Sequence, residues 1–240
     1  LQLDVNVDVA EDGSGAIEVV VGLDADALDK IGGDLAAVME VGDLEDAGWV
    51  IDGPAEESDG FTRVHLRHPF ATPEEAAEVF AQIAGTDGPF QDFAVGRSTS
   101  FAETRWEFTG RVDFSGGIEA LGDEGLAAEL DGEPLGQSVE EVEAQLGESL
   151  SRLIQVRVRA RLPGEVTSNA TTKADNGAVW QVGFGEGSVD LHAESSERRV
   201  ATLVLAGVGA VCLLALVVLL LVRLAGRVTG ARGATRHQVT

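Results

Sequence analysis

The run from Val200 to Val222, VATLVLAGVGAVCLLALVVLLLV, carries no charge, no proline and no strongly polar side chain. A bilayer core of about 30 Å needs roughly 20 apolar residues at about 1.5 Å rise each. The run therefore predicts a membrane-spanning helix and not a core helix, which would be shorter and amphipathic. Arg223, Arg227, Arg232 and Arg236 follow it without an acid, whereas Arg198 and Arg199 before it are offset by Glu194 and Glu197. The positive-inside rule then assigns residues 1–197 to an extracytoplasmic domain, 198–222 to the span and 223–240 to a short basic cytoplasmic tail. Export requires a leader, so a signal peptide is expected upstream of Leu1.

The remaining chain is long enough for one domain with its own core. All 41 acidic side chains precede residue 200, and the whole chain has a net charge of −24. Such a domain repels nucleic acid and, over most of its surface, anionic headgroups, so neither is a partner through bulk charge. The single cysteine, Cys212, lies inside the apolar run and can form no intramolecular disulfide. The domain must be held by packing alone.

Strict alternation marks the strands. Leu3, Val5, Val7 and Val9 face one way and Asp4, Asn6 and Asp8 the other; Ile17, Val19 and Val21 return after the turn residues 11–15, predicting a hairpin. Asp24 is placed to cap a helix whose apolar face is Leu28, Ile31, Leu35 and Val38. A second hairpin is predicted from Trp49–Ile51 and Phe61–Phe70 around a polar loop. Thr72-Pro73-Glu74-Glu75 is a capping box opening a helix that buries Ala76, Val79, Phe80 and Ile83. Strands follow at 90–95 and 104–114, a loop at 118–136, a third helix from Ser138 to about Leu150, a strand at 153–162, and a closing hairpin from 179–184 and 188–193. The expected fold is α+β: a mainly antiparallel sheet with about three amphipathic helices on one face, followed by a single C-terminal transmembrane helix.

No motif in this pattern carries catalysis. His65 and His68 are three apart on a strand and point to opposite faces, and His192 and His237 lie far along the chain, so no zinc-ligand spacing appears. Asp24, Asp26 and Asp29 lack the glycine and distal glutamate of a calcium loop. Gly13-Ser14-Gly15 sits in a turn without a histidine partner, and Asn169-Ala170-Thr171, although it matches a glycosylation acceptor, reads as a polar loop. The arginines stand out instead. Arg63, Arg67, Arg105, Arg111, Arg157, Arg159 and Arg161 occupy alternate strand positions opposite the apolar residues, which predicts one shared sheet face. Either they pair with cross-strand acids such as Asp4, Asp8, Glu18, Glu107 and Asp113, or they form a cationic patch for a phosphate or carboxylate headgroup.

Three stretches resemble a known family. Leu162-Pro163-Gly164-Glu165-Val166, Ser168-Asn169-Ala170 and Asn176-Gly177-Ala178-Val179-Trp180-Gln181-Val182 are similar to the LppM-type domain of actinobacterial envelope lipoproteins. Asp4-Val5-Asn6-Val7, the turn Glu11-Asp12-Gly13-Ser14-Gly15 and the terminal apolar run with its basic tail extend the resemblance. It implies a signal peptide with a lipid-bearing cysteine just ahead of Leu1 and an envelope domain associated with lipid or glycolipid. It supplies no catalytic residue. The chain is thus expected to be a membrane-anchored, non-enzymatic domain of the bacterial cell envelope, without cofactor or metal, binding lipid or glycolipid; the alternative is a scaffold holding a protein partner.

Overall fold

The structure is a computed structural model that describes residues 1–30, 33, 35, 41–84, 88–114, 154–174, 177–183 and 187–198. The predicted helix at 138–150, the loop at 118–136 and the apolar run 200–222 lie outside the described residues. Among the described residues, no helix is long and apolar enough to cross a membrane.

The elements are β1 (Gln2–Val9), β2 (Gly15–Asp24), α1 (Ala25–Lys30), α2 (Val41–Asp46), β3 (Val50–Glu56), β4 (Phe61–Phe70), α3 (Pro73–Ala84), β5 (Phe90–Thr99), β6 (Glu103–Asp113), β7 (Gln155–Arg161), β8 (Glu165–Ser168), β9 (Thr172–Ala174), β10 (Gly177–Gly183) and β11 (Ser188–Arg198). They build a seven-stranded sheet in the order β3-β4-β2-β1-β7-β10-β9 and a four-stranded sheet in the order β5-β6-β11-β8. This corrects the α+β expectation. Strands dominate, two of the three described helices have six residues each, and a second sheet covers much of the face assigned to helices. Alternation identifies which residues turn inward. It leaves open whether a helix or another sheet packs on them.

Most neighbours in the large sheet are antiparallel, but β1 and β7 run parallel, with Asp4 opposite Arg157, Asn6 opposite Arg159 and Asp8 opposite Arg161. The predicted closing hairpin is also corrected: β10 pairs with β7 and β9, and β11 pairs with β8 in the other sheet. β3 runs through Glu56, past the start of the expected loop, with a register shift between Asp52 and Ala55.

Residues Leu1–Thr99 and Arg105–Glu197 form one compact unit. Its core is the space between the two sheets, where Val5, Val7, Val158 and Trp180 of the large sheet and Trp106, Phe108, Val112 and Leu191 of the small one are each at most 2% exposed. Phe108 and Trp180 meet across it with ring centroids 5.7 Å apart, and Phe93 and Phe80 continue the aromatic chain at 5.8 and 5.0 Å. Phe80 comes from α3, whose start is built as read: the Glu75 amide donates to Thr72 Oγ1, and the Glu75 carboxylate reaches back to the amide of Ala71. Asp24 Oδ1 likewise accepts from the Ala27 amide at the start of α1.

Arg97 on β5 ties the first turn to this core. Its guanidinium lies 4.8 Å over the Trp106 ring and donates to the carbonyls of Asp12 and Glu11 at 2.7 and 3.3 Å. Gly13, at φ +98°, lies against that stack, where a Cβ would stand 3.2 Å from the Arg97 guanidinium. Ser100–Thr104 belong to a second unit. In it, the Ser100 amide and hydroxyl both donate to the Glu103 carbonyl, at 2.8 and 2.9 Å, which closes the turn.

Because Phe108 touches three other rings at the centre of the core, Phe108→Ala should destabilise the domain by about 3–5 kcal/mol. Denaturant unfolding followed by tryptophan fluorescence measures this, and a loss under about 1 kcal/mol would show that the two sheets do not depend on that contact.

Candidate functional site

The seven arginines divide between two sheets, which corrects the expectation of one shared face. Arg63 and Arg67 on β4 and Arg157, Arg159 and Arg161 on β7 lie on the outer face of the large sheet; Arg105 and Arg111 lie on β6 in the small one. Alternation within a strand is local, whereas membership of a sheet is decided by which strands pair.

Most of these side chains already have partners. Arg63 donates to Glu57 at 2.7 Å, to both oxygens of Asp59 at 2.9 and 2.7 Å and to Gln2 at 2.8 Å, and it stacks 5.1 Å over Phe61. Arg161 pairs with Asp8 at 2.8 Å, Arg157 with Asp4 at 3.6 Å and Arg111 with Asp190 at 2.8 Å. Arg105 is exposed and takes part in interactions of its own. Arg67 is exposed, in register between Glu18 and Val50. Cross-strand pairing thus accounts for Arg157 and Arg161, and a loop contact for Arg63. Each exposed pair contributes at most about 1 kcal/mol.

Arg159 is different. Its register partners are Asn6 and Val179, neither of them acidic, and its Nε is buried without a hydrogen-bond partner. Asn6 is committed elsewhere, donating to Glu18 at 3.3 Å. A permanently charged guanidinium with an unsatisfied buried donor costs about 1–3 kcal/mol. Two residues back on the same face, Arg157 borders a cleft of about 270 Å³, where β7 begins and β10 ends. Gln155, Gln181 and Arg157 give it polar walls, while Val156 and Val182, at 1% and 2% exposed, turn their side chains into the core beneath it. That volume is just below the roughly 300–1,000 Å³ of drug-sized pockets, so it suits a headgroup or a short chain segment.

The histidines separate as read. His65 lies on the outer face between Glu18 and Glu57, each 3.3 Å from one ring nitrogen, while His68 stacks edge-on against Trp49 at 5.4 Å. Ser14 donates its hydroxyl to Asp12 at 2.7 Å inside the turn, which draws the Asp12 carboxyl below its ordinary range. Spacing along the chain gave no signal for a third group. Glu107 on β6 stands beside His192 and Glu194 on β11, the small sheet's neighbouring strand.

Asn169 is a structural residue. Its Oδ1 accepts from Trp180 Nε1 at 2.8 Å and from the His192 amide at 3.0 Å, while its Nδ2 donates to the Asp190 carbonyl at 2.8 Å. It clamps β10 of one sheet to β11 of the other, so the acceptor-like triplet reflects this use of its side-chain amide.

Two measurements follow from these contacts. Asn169→Ala leaves the buried Trp180 N–H unpaired and should destabilise by about 1–3 kcal/mol, whereas Thr171→Ala, which removes the same triplet, should change stability by less than about 0.5 kcal/mol; equal losses in denaturant unfolding would contradict the clamp. The Arg63 hydrogen bonds hold the Asp59 carboxyl at about 2 against an ordinary 3.8. Folding therefore favours the ionised form, and the contribution is complete above 3.8 and lost as pH falls through about 2. Carboxyl titration by NMR should place Asp59 near 2 and, in Arg63→Gln, clearly higher, with the Phe61 amide still holding one carboxylate oxygen.

The sequence matches no family model and no curated protein. Among solved structures it is similar to the NMR structure of the folded domain of the Mycobacterium tuberculosis LppM protein, with 13% identity and a TM-score of 0.42, covering 84% of this chain and 92% of that one. The likeness transfers no ligand and no residue role.

Proposed function

We propose that the chain is a non-catalytic, extracytoplasmic domain of the bacterial cell envelope. In this reading the apolar sequence 200–222 holds it at the membrane, and it binds the anionic headgroup of a lipid or glycolipid on the outer face of the large sheet. One observation carries the reading: Arg159 keeps a buried, unpartnered Nε between Asn6 and Val179 while Arg157 and Arg161 on either side have acids. A phosphate or carboxylate would meet the terminal nitrogens of this half-buried guanidinium through charge-assisted contacts, the Nε itself being closed to solvent. The cleft beside Arg157 offers room for the adjoining glycerol or sugar, with Gln155 and Gln181 on the same outer face meeting hydroxyls. The surrounding negative charge makes the site selective, because an anion is repelled elsewhere. A protein-docking role would favour a contiguous exposed apolar patch, and the large exposed apolar side chains among the described residues are Val50 and Phe101.

The test uses the full chain in neutral detergent, titrated calorimetrically with short-chain phosphatidylglycerol and with phosphatidylcholine of the same chain length. The anionic lipid should bind, and Arg159→Gln should weaken it about tenfold or more. Added salt should reduce the wild-type affinity more than that of the variant. Arg111→Gln, on the other sheet, should leave binding unchanged. Equal affinities of wild type and Arg159→Gln would overturn the headgroup site and leave the protein-partner role.

A further inference from the structure

We propose that Glu107, His192 and Glu194 bind a zinc ion on the outer face of the small sheet, separately from the arginine site. Three features place the donors. His192 and Glu194 are two apart on β11, so alternation puts both on one face, and Glu107 joins them from the adjacent strand β6. One ligand atom from each lies within 4.8 Å of the other two. Among the described residues, no other set of three His, Cys, Asp or Glu side chains converges in this way. The imidazole stands 3.0 Å from Glu194 through Nε2 and 3.8 Å from Glu107 through Nδ1, so a single ion would take one ring nitrogen and one carboxylate would swing across to it.

With metal–ligand bonds of about 2.0–2.2 Å, three donors around a tetrahedral ion sit roughly 3.3 Å apart. Glu107 and Glu194 are exposed and His192 is half-buried, so the required rotations displace no core atoms, whereas the backbone beneath them is fixed. The amide and carbonyl of His192 are both bonded to Asn169, at 3.0 and 3.1 Å. Two carboxylates and one imidazole supply the three protein ligands of an open zinc site, with water taking the fourth position. The nitrogen donor favours zinc over magnesium and calcium, which take oxygen.

His65 is the internal comparison. It also lies between two carboxylates, Glu18 and Glu57, each 3.3 Å from a different ring nitrogen, which is the pairing His192 has as well, yet among the described residues only the donors around His192 all lie within 4.8 Å of one another. A histidine between two acids is therefore not enough; the donors must converge.

The experiment titrates zinc chloride into the full chain in detergent after chelator treatment and removal of the chelator. One equivalent of zinc should bind calorimetrically, and His192→Ala, Glu194→Gln and Glu107→Gln should each weaken it at least tenfold with an unchanged circular dichroism spectrum. His65→Ala and His237→Ala should bind as the wild type does, and excess calcium should not compete. Cobalt in place of zinc should give the visible absorption of a tetrahedral site, lost in His192→Ala. Absence of binding, equal affinity in the Glu107, His192 or Glu194 variants, loss in His65→Ala or His237→Ala, or displacement by calcium would each overturn the proposal.

Discussion

The parallel ladder between β1 and β7 is the constraint on which the rest depends. It joins the start of the chain to residues 155–161, and its register sets Val5 beside Val158 and Val7 beside Ala160 on the inner face. The same register sets Asp4, Asn6 and Asp8 beside Arg157, Arg159 and Arg161 on the outer face. A slip by one residue would turn valines to water and charges into the core, so burial holds the register firmly. Once it is held, the charges follow: two arginines receive aspartates and the middle one receives an asparagine. The exception at Arg159 is a consequence of that ladder.

The second constraint is the union of the two sheets. Apolar packing between inner faces is non-directional and would tolerate sliding, whereas the Asn169 side chain is directional. By accepting from Trp180 and from the His192 backbone it fixes β10 against β11. Trp180 thus has two roles, packing its ring on Phe108 and satisfying its buried N–H through a loop residue of the other sheet's connection. The clamp also immobilises the backbone that carries His192, so a core contact supports chemistry on the opposite, wet face.

Charge in this domain is organised by distance from acids and not by sign alone. In the whole chain 41 acidic residues stand against 17 basic ones, four of them after residue 222, so an arginine without an acidic partner is the exception. Arg63 is surrounded by Glu57, Asp59 and Gln2, which take up both of its terminal nitrogens. The contrast between Arg63 and Arg159, both on the same outer face, separates structural arginines from one able to accept a partner. The two histidines between carboxylates divide in the same way, by convergence of their neighbours.

The sequence by itself determined what depends on neighbours in the chain. Period-two alternation located most of the strands and sorted inward from outward side chains in β1, β2, β6 and β7. Thr72, Glu75 and Asp24 marked helix starts, because a cap is completed within a few residues. Only the tertiary structure decided which strands lie side by side. It separated β10 from β11, split the arginines between two sheets and covered an inner face with strands instead of helices. It also brought Glu107 next to His192. Strand pairing joins residues up to 153 positions apart, as in Asp8 and Arg161. Its free energy comes from burying matched faces together, and no single stretch of sequence contains both sides of that match.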